Sequence, residues 1–118
     1  MSSMDPDALR QFQMPLRAFQ MSGQDIPYLL DHWAQHKPDH PVLIWAPRDG
    51  AERRWSYSQL RADVCALAVG LDAKGIRKGD KVLLHSENCP EQVLAWLACA
   101  TLGAVGVTTN TKSVGAEM

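Results

Sequence analysis

The sequence has no marked excess of charge of either sign. Its 118 residues include 12 Lys and Arg against 13 Asp and Glu, which leaves a formal net charge of −1. Proteins dedicated to nucleic acids carry a strong basic excess, because much of their affinity comes from neutralising phosphates. The charge balance therefore predicts no nucleic-acid partner. Hydrophobic residues at 46% and charged residues at 21% are ordinary for one small globular domain.

Cysteine is scarce and is not arranged for metal binding. The three cysteines are odd in number and widely spaced, with no CxxC pair and no His at zinc-finger spacing. Structural zinc sites need such pairs, so this pattern argues against one. We expect a reduced chain located in the cytoplasm.

The sequence motifs of several common enzyme classes are missing. The chain contains no GxxxxGK(S/T) phosphate loop, no GxGxxG, no HExxH and no GxSxG. Gly103 and Gly106 have only two residues between them and follow a predicted helix rather than a strand, so they indicate a helix end and close backbone packing instead of a phosphate cradle. No residue is therefore assigned a catalytic, cofactor-binding or metal-binding role.

No secretory signal opens the chain, and one stretch has the length of a membrane span. Residues 1–24 mix acids and bases without a continuous apolar core, so we expect an extended or loosely docked arm. Gln92 to Thr111 contains no charged residue, as a membrane-crossing helix requires. Gly103 and Gly106 interrupt it, its last four residues are polar, and no aromatic or basic belt flanks both ends. We prefer a soluble α/β interpretation and expect no membrane span.

The most informative stretch runs from Lys81 to Asn110. Its first five residues include three adjacent apolar side chains, the pattern of a strand buried on both faces. Pro90 then occupies the first position of a helix, and Glu91 lies in the first turn, where the dipole favours a negative charge. The helix reaches about Leu102 and is apolar in every direction. β-Branched residues from Val105 onward predict a second strand. The whole stretch predicts a βαβ unit of two parallel strands.

Two helices and a hairpin are predicted before this unit. Asp25 is the N-cap of a helix with one apolar stripe, formed by Ile26, Leu29, Leu30 and Trp33. Val42–Ala46 and Arg53–Tyr57 are strands that flank an Asp-Gly turn. Ser56 or Ser58 then caps a long helix that Gly75 ends. Its apolar stripe is formed by Leu60, Val64, Leu67 and Leu71, and Asp63 is among the residues that face water. The chain is therefore predicted to be α/β, with a β-hairpin, a βαβ unit of parallel strands and packed helices.

Two groups of side chains suggest chemistry. His32, His36 and His40 recur every four residues, and a helix would bring the first two to one face, as in a metal pair. No carboxylate or cysteine partner lies nearby, so we interpret them as a polar helix face. Cys89 lies at a helix N-terminus, where the helix dipole lowers a thiol pKa, but no paired His or acid is evident and a cap residue is the preferred interpretation.

The two tryptophans of the predicted hairpin leave two interpretations open. Trp45 and Trp55 lie on the two strands and could stack on a flat ligand. Such pairs also fill a core or cover a sheet edge.

Three segments together resemble one enzyme superfamily. Trp55–Leu60 (WSYSQL) resembles the first core motif of the adenylate-forming enzymes, which include acyl-CoA synthetases, luciferases and peptide-synthetase adenylation domains. Gly75–Val82 (GIRKGDKV), followed by NCPE at 88–91, is similar to the KGD-V…N-PE segment of the acyl-CoA and carnitine-CoA ligase branches. Leu102–Asn110 (LGAVGVTTN) resembles the second core motif. The resemblance covers about residues 25–118.

The resemblance implies an ATP-dependent carboxylate–CoA ligase that forms an acyl-adenylate and then a thioester. The parent would use ATP, Mg and CoA. The family's phosphate loop, adenine-binding segment, magnesium-binding acid, ribose-binding Asp and catalytic Lys all lie beyond Met118, so none is carried onto this chain. We therefore expect residues 25–118 to be a truncated N-terminal subdomain that is inactive alone. An alternative of a different class is a self-standing α/β binding or interaction module without catalysis.

The predicted elements are too few to bury all the apolar surface. The helix at Pro90–Leu102 needs cover on several sides, but only two other helices and four short strands are predicted. The chain ends soon after Ser113, which would cap a further helix. We expect the remainder of the ligase, or another copy of the chain, to cover the exposed apolar surface.

Overall fold

The structure is a computed structural model that describes residues 24–109 and 111–112. This part of the chain contains three helices and four strands, which we number in chain order: α1 (Ile26–His36), β1 (Pro41–Trp45), β2 (Arg53–Ser56), α2 (Tyr57–Ala73), β3 (Lys81–His85), α3 (Pro90–Leu102) and β4 (Val105–Thr109). The α/β class is confirmed. The predicted arm over residues 1–24, apart from Gln24, and the predicted N-cap at Ser113 lie outside the described residues.

Helix α1 begins at the predicted cap. The Asp25 carboxylate accepts a hydrogen bond of 2.9 Å from the backbone N–H of Tyr28, which satisfies one of the donors left free at a helix start. Leu30 is the buried residue of this helix. Arg61 of α2 forms an ion pair with Asp31 of α1. Both side chains of this pair are about half exposed, so the apolar contact holds the two helices together more than the charges do.

Strands β1 and β2 form the predicted antiparallel hairpin. Leu43 pairs with Trp55 and Trp45 with Arg53, and the register shifts between Pro41 and Leu43. Gly50 in the connecting turn has a φ of 122°, a backbone conformation that residues other than glycine rarely adopt. Strand β2 ends one residue earlier than predicted, because Tyr57 already belongs to the next helix.

A capping box at Ser56 fixes the start of α2. The Ser56 Oγ accepts the backbone N–H of Gln59 at 3.2 Å, and the Gln59 Oε1 accepts the backbone N–H of Ser56 at 2.9 Å. Of the two predicted caps, Ser56 is therefore correct. The Ser58 hydroxyl lies 3.3 Å from the Ser56 hydroxyl instead. The helix ends at Ala73, two residues before the predicted stop at Gly75.

The core lies where α1, the hairpin, α2 and α3 meet. Its buried side chains are Leu30, Trp55, Leu60 and Val64, and partly buried residues of β1, α2 and α3 pack around them: Leu43, Trp45, Tyr57, Leu94 and Leu97. Leu60 and Val64 belong to the apolar stripe predicted for α2. The stripe therefore faces this core, as its helical spacing requires.

Strands β3 and β4 and helix α3 form the predicted βαβ unit. The strands pair in parallel, with Lys81 opposite Val105 and His85 opposite Thr109. Helix α3 ends at Gly103, whose φ of 74° is the left-handed conformation of a glycine C-cap. Within the described residues no helix is long and apolar enough to cross a membrane. The alternative interpretation, a single membrane-crossing helix from Gln92 to Thr111, is therefore wrong, because this stretch contains most of α3 and then β4.

The predicted burial of β3 is wrong in one respect. Exposed and half-buried residues alternate along the strand, and Leu83 is 58% exposed. Val82 and Leu84 lie on the face that α3 covers, because Leu84 and Trp96 of α3 both approach Gly106. Among the described elements, α3 is the helix that packs against both strands. The adjacent apolar residues are typical of a strand with two covered faces, but only one face is covered here.

Gly106 lies at the closest approach of β4 to α3, and we expect a larger residue there to destabilise the fold. A Cβ atom at Gly106 would lie 3.2 Å from Cδ1 of Trp96 and 3.4 Å from Cδ1 of Leu84. Gly106→Val should therefore lower the free energy of unfolding by about 1–3 kcal/mol through overpacking. The measurement is urea unfolding followed by circular dichroism.

Gly70 in the last turn of α2 provides a matched control. A Cβ atom there would meet nothing within 4 Å. Gly70→Ala should therefore raise the free energy of unfolding by about 0.5–1 kcal/mol, because alanine restricts the unfolded chain and favours the helix. If Gly106→Val were as stable as the natural chain, the tight packing of β4 on α3 would be contradicted.

Candidate functional site

The three histidines make local contacts rather than a metal cluster. His32 and His36 share a face of α1, as predicted, and their rings stack with centroids 4.2 Å apart. The Nδ1 of His36 lies 2.7 Å from the carbonyl oxygen of His32. His40 lies beyond the helix, and its Nδ1 lies 2.8 Å from the carbonyl oxygen of Pro41. Among the described residues, no three His, Cys, Asp or Glu side chains come together in a way that could hold a metal ion.

Cys89 is the N-cap residue of α3, but its side chain makes no cap hydrogen bond. The sequence predicts no acid paired with this thiol, but Glu91 lies two residues further on. Arg53 of β2 donates a hydrogen bond of 2.9 Å to Glu91 and lowers the pKa of that carboxyl, with a smaller contribution from the Cys89 thiol. Glu91 is therefore held as a carboxylate that joins the hairpin to α3. The lowered pKa makes this carboxylate a weaker base toward the Cys89 thiol.

Cys99 lies on the buried side of α3 and is 1% exposed. Burial raises the pKa of its thiol, which reduces the fraction of reactive thiolate. The position and burial of this cysteine give it a packing role. It is not a candidate nucleophile.

Trp55 is a core residue and not a platform for a flat ligand. It is 7% exposed, and its Nε1 donates a hydrogen bond of 2.9 Å to Asp63 of α2. The guanidinium of Arg53 lies 4.7 Å from the centre of the indole ring. Trp45, on the other strand, is partly buried against the same core. Of the two interpretations left open by the sequence, core filling is correct for Trp55.

A polar cavity lies at the carboxyl ends of β3 and β4. Its volume is about 470 Å³, and it is lined mainly by hydroxyl and amide side chains together with one acid and one base: Ser86, Glu87, Asn88, Gln92, Thr108, Thr109, Thr111 and Lys112. At the nearby strand ends, the Nδ1 of His85 lies 2.5 Å from the hydroxyl of Thr109. Ligands of open α/β sheets bind at this end of the strands. This cavity was not predicted from the sequence, although polar residues directly after two predicted strands are a usable signal for it.

The face of the β3–β4 sheet that points away from α3 is apolar and open. We call Leu83, Val105 and Val107 the outer sheet face; they are 58%, 49% and 39% exposed. They share this face because Lys81 pairs with Val105 and Leu83 with Val107 in the parallel register. On α3, Val93 and Trp96 are also more than one-third exposed. Exposed aliphatic side chains grouped on one sheet are typical of a surface that another element covers.

Residues 30–118 match the family model described as AMP-binding enzyme. The chain belongs to the AMP-binding enzyme family. Crotonobetaine/carnitine–CoA ligase of Salmonella paratyphi A is 35% identical over 97 residues, which are 82% of this chain and 19% of that ligase. The ligase of the same name from Salmonella typhimurium has the same identity and coverage. The chain therefore spans about one-fifth of the length of the curated relatives it matches.

Solved structures of the same family have the same fold. The N-terminal subdomain of Klebsiella oxytoca NpsA superposes with a TM-score of 0.68 at 32% identity, over 76% of this chain and 22% of that one. Fatty acid AMP ligase from Legionella pneumophila gives a TM-score of 0.71 at 25% identity, over 77% of this chain and 16% of the ligase. The predicted resemblance to adenylate-forming enzymes, and to their N-terminal subdomain in particular, is confirmed.

Proposed function

We propose that this chain supplies the N-terminal portion of an ATP-dependent acyl-CoA ligase. The observation that carries the proposal is the match to the AMP-binding family over residues 30–118, together with 35% identity to CoA ligases. In the proposed reaction a carboxylate oxygen attacks the α-phosphorus of ATP and pyrophosphate leaves. The CoA sulfur then attacks the acyl carbonyl and AMP leaves. The products are an acyl-CoA thioester, AMP and pyrophosphate.

The described residues contribute scaffold to this reaction rather than reacting groups. They contain no cluster of three acids or histidines suited to a metal ion. The polar cavity at the ends of β3 and β4 carries one acid, Glu87, and one base, Lys112, so its lining has no excess positive charge to hold the phosphates of ATP. The residues present therefore do not fit Mg-ATP, and no catalytic step is assigned to them. ATP, Mg and CoA belong to the proposed parent ligase.

The names of the relatives define the acids to be tried. They include carnitine and crotonobetaine for the Salmonella ligases and a fatty acid for the Legionella enzyme. The NpsA subdomain was solved with an anthranilyl-AMSN ligand. We also propose the cytoplasm as the compartment, which is supported by free cysteines at positions 65, 89 and 99.

The proposed function is tested by a thioester-forming assay. The protein assayed is the longest polypeptide of the gene that includes residues 1–118. The assay supplies Mg-ATP, CoA and each acid in turn, and mass spectrometry detects acyl-CoA and AMP. We expect a thioester with at least one acid, together with AMP in equal amount. Acyl-AMP and pyrophosphate without a thioester would reassign the protein to acyl-adenylate formation alone. No nucleotide turnover with any acid would favour a binding module without catalysis.

A further inference from the structure

We propose that His32 and His36 form a two-histidine site for a divalent transition-metal ion such as Zn²⁺ on the surface of α1. The two residues are four apart in sequence, and their rings lie on one face of the helix with centroids 4.2 Å apart. The metalloprotease motif HExxH uses the same spacing to place two zinc ligands on one helix face, although its glutamate is absent here. The site is separate from the proposed ligase chemistry, which gives neither histidine a role.

The hydrogen bond made by His36 leaves one of its ring nitrogens ready to bind a metal ion. Its Nδ1 lies 2.7 Å from the carbonyl oxygen of His32, and a carbonyl only accepts hydrogen bonds, so this nitrogen carries the proton. In a neutral imidazole the other nitrogen, Nε2, then has the free lone pair. Metal-binding histidines commonly hold their second nitrogen in this way, which fixes the tautomer and the direction of the ring. His36 is exposed, so an ion from solvent can reach the ring.

The His32 ring is able to turn and supply the second ligand. It contacts the rings of Tyr28, Trp33 and His36, and no hydrogen bond from the described part of the chain holds its nitrogens. The rings of His32 and His36 are inclined by only 26°, so their lone pairs do not converge on one point without a rotation. Zinc holds imidazole nitrogens at about 2.0–2.1 Å in a tetrahedron, which places two of them about 3–3.5 Å apart. A rotation of His32 about its Cβ–Cγ bond, at the cost of the stacking, is therefore the change that binding requires.

The ligands and their position on the helix determine the class of ion. Neutral imidazole suits Zn²⁺, Cu²⁺ and Ni²⁺, whereas Mg²⁺ and Ca²⁺ need oxygen ligands. His36 lies in the last turn of α1, where the negative end of the helix dipole favours a cation. Within the described residues, no third His, Cys, Asp or Glu joins the pair. Water therefore fills the remaining positions, and the ion exchanges with solvent instead of holding the fold together as structural zinc does.

A zinc titration of the 118-residue chain, followed by NMR of the histidine ring nitrogens in isotope-labelled protein, tests the proposal. The spectrum reports each histidine separately, so zinc held by the free cysteines at positions 65, 89 and 99 does not disturb the measurement. We expect the Nε2 resonances of His32 and His36 to shift along one common binding curve, while Mg²⁺ at the same concentrations leaves them unchanged. No shift at either ring, or shifts of the two rings along different curves, would overturn the proposal.

Two substitutions distinguish a shared ion from independent histidines. His36→Ala removes one ligand at an exposed position and should weaken zinc binding at His32 by more than about tenfold. His40→Ala removes a histidine that is also exposed but lies beyond the helix, and it should leave the zinc affinity of the pair unchanged. Unchanged zinc binding at His32 in the His36→Ala variant would contradict a shared ion. The titration of the natural chain needs no substitution, so it decides the question even if a variant fails to fold.

Discussion

Val64→Asp is expected to unfold the chain at room temperature. Val64 lies on α2, is 1% exposed, and packs in the core with Leu30, Trp55 and Leu60. A carboxylate at this position would lose its hydration, and no described basic side chain belongs to that core cluster. The expected loss is more than about 4 kcal/mol, a large part of the stability of a small domain. Circular dichroism at 222 nm should report the loss of helix without added denaturant.

The same substitution on the same helix supplies the control. Val69 is 70% exposed. Val69→Asp therefore makes the same replacement of valine by aspartate at a position that is in contact with water. Its free energy of unfolding should change by less than about 0.5 kcal/mol. Equal effects at both positions would mean that α2 does not present Val64 to the core.

Trp55→Ala is expected to cost about 3–5 kcal/mol of stability, because it removes the largest side chain of the core and leaves a cavity. Trp55 is 7% exposed and joins the hairpin to α2 through the hydrogen bond from its Nε1 to Asp63. The measurement is the urea midpoint followed by circular dichroism, together with the loss of cooperativity.

Trp55→Phe separates the two contributions of this residue. Phenylalanine keeps most of the apolar contact but has no donor for Asp63. We expect it to cost about 1.5–3 kcal/mol, the range for hydrogen bonds to charged groups. If Trp55→Phe were as destabilising as Trp55→Ala, the hydrogen bond rather than the core packing would be the main contribution of Trp55.

Local signals in the sequence predicted the elements well. Helix α3 runs from Pro90 to Leu102 as predicted, because proline favours the first helical position and Gly103 supplies the left-handed C-cap. The cap at Asp25 and the hairpin were also correct. These features depend on residues close together in sequence. The choice between Ser56 and Ser58 needed the structure, because both serines could reach a free N–H at the helix start.

Contacts between distant residues were the part that the sequence did not predict. Asp63 was assigned to a solvent-facing surface, yet it accepts the hydrogen bond of Trp55. Glu91 was treated as a helix-start residue, yet it pairs with Arg53 of the hairpin. The exposure of Leu83 was not predicted. Three adjacent apolar residues indicate a strand that can be buried on both faces, but its actual burial depends on which elements are present to cover it.

ATP–pyrophosphate exchange by the 118-residue chain tests most directly the claim that these residues are scaffold without chemistry. The assay contains Mg-ATP, labelled pyrophosphate and the same panel of carboxylic acids, and the longest polypeptide of the gene runs in parallel. The account predicts exchange by the longer polypeptide and none above background by the 118-residue chain, whose described residues hold no acid cluster for Mg. Acid-dependent exchange by the 118-residue chain would contradict it, because adenylation would then proceed on residues 1–118 alone.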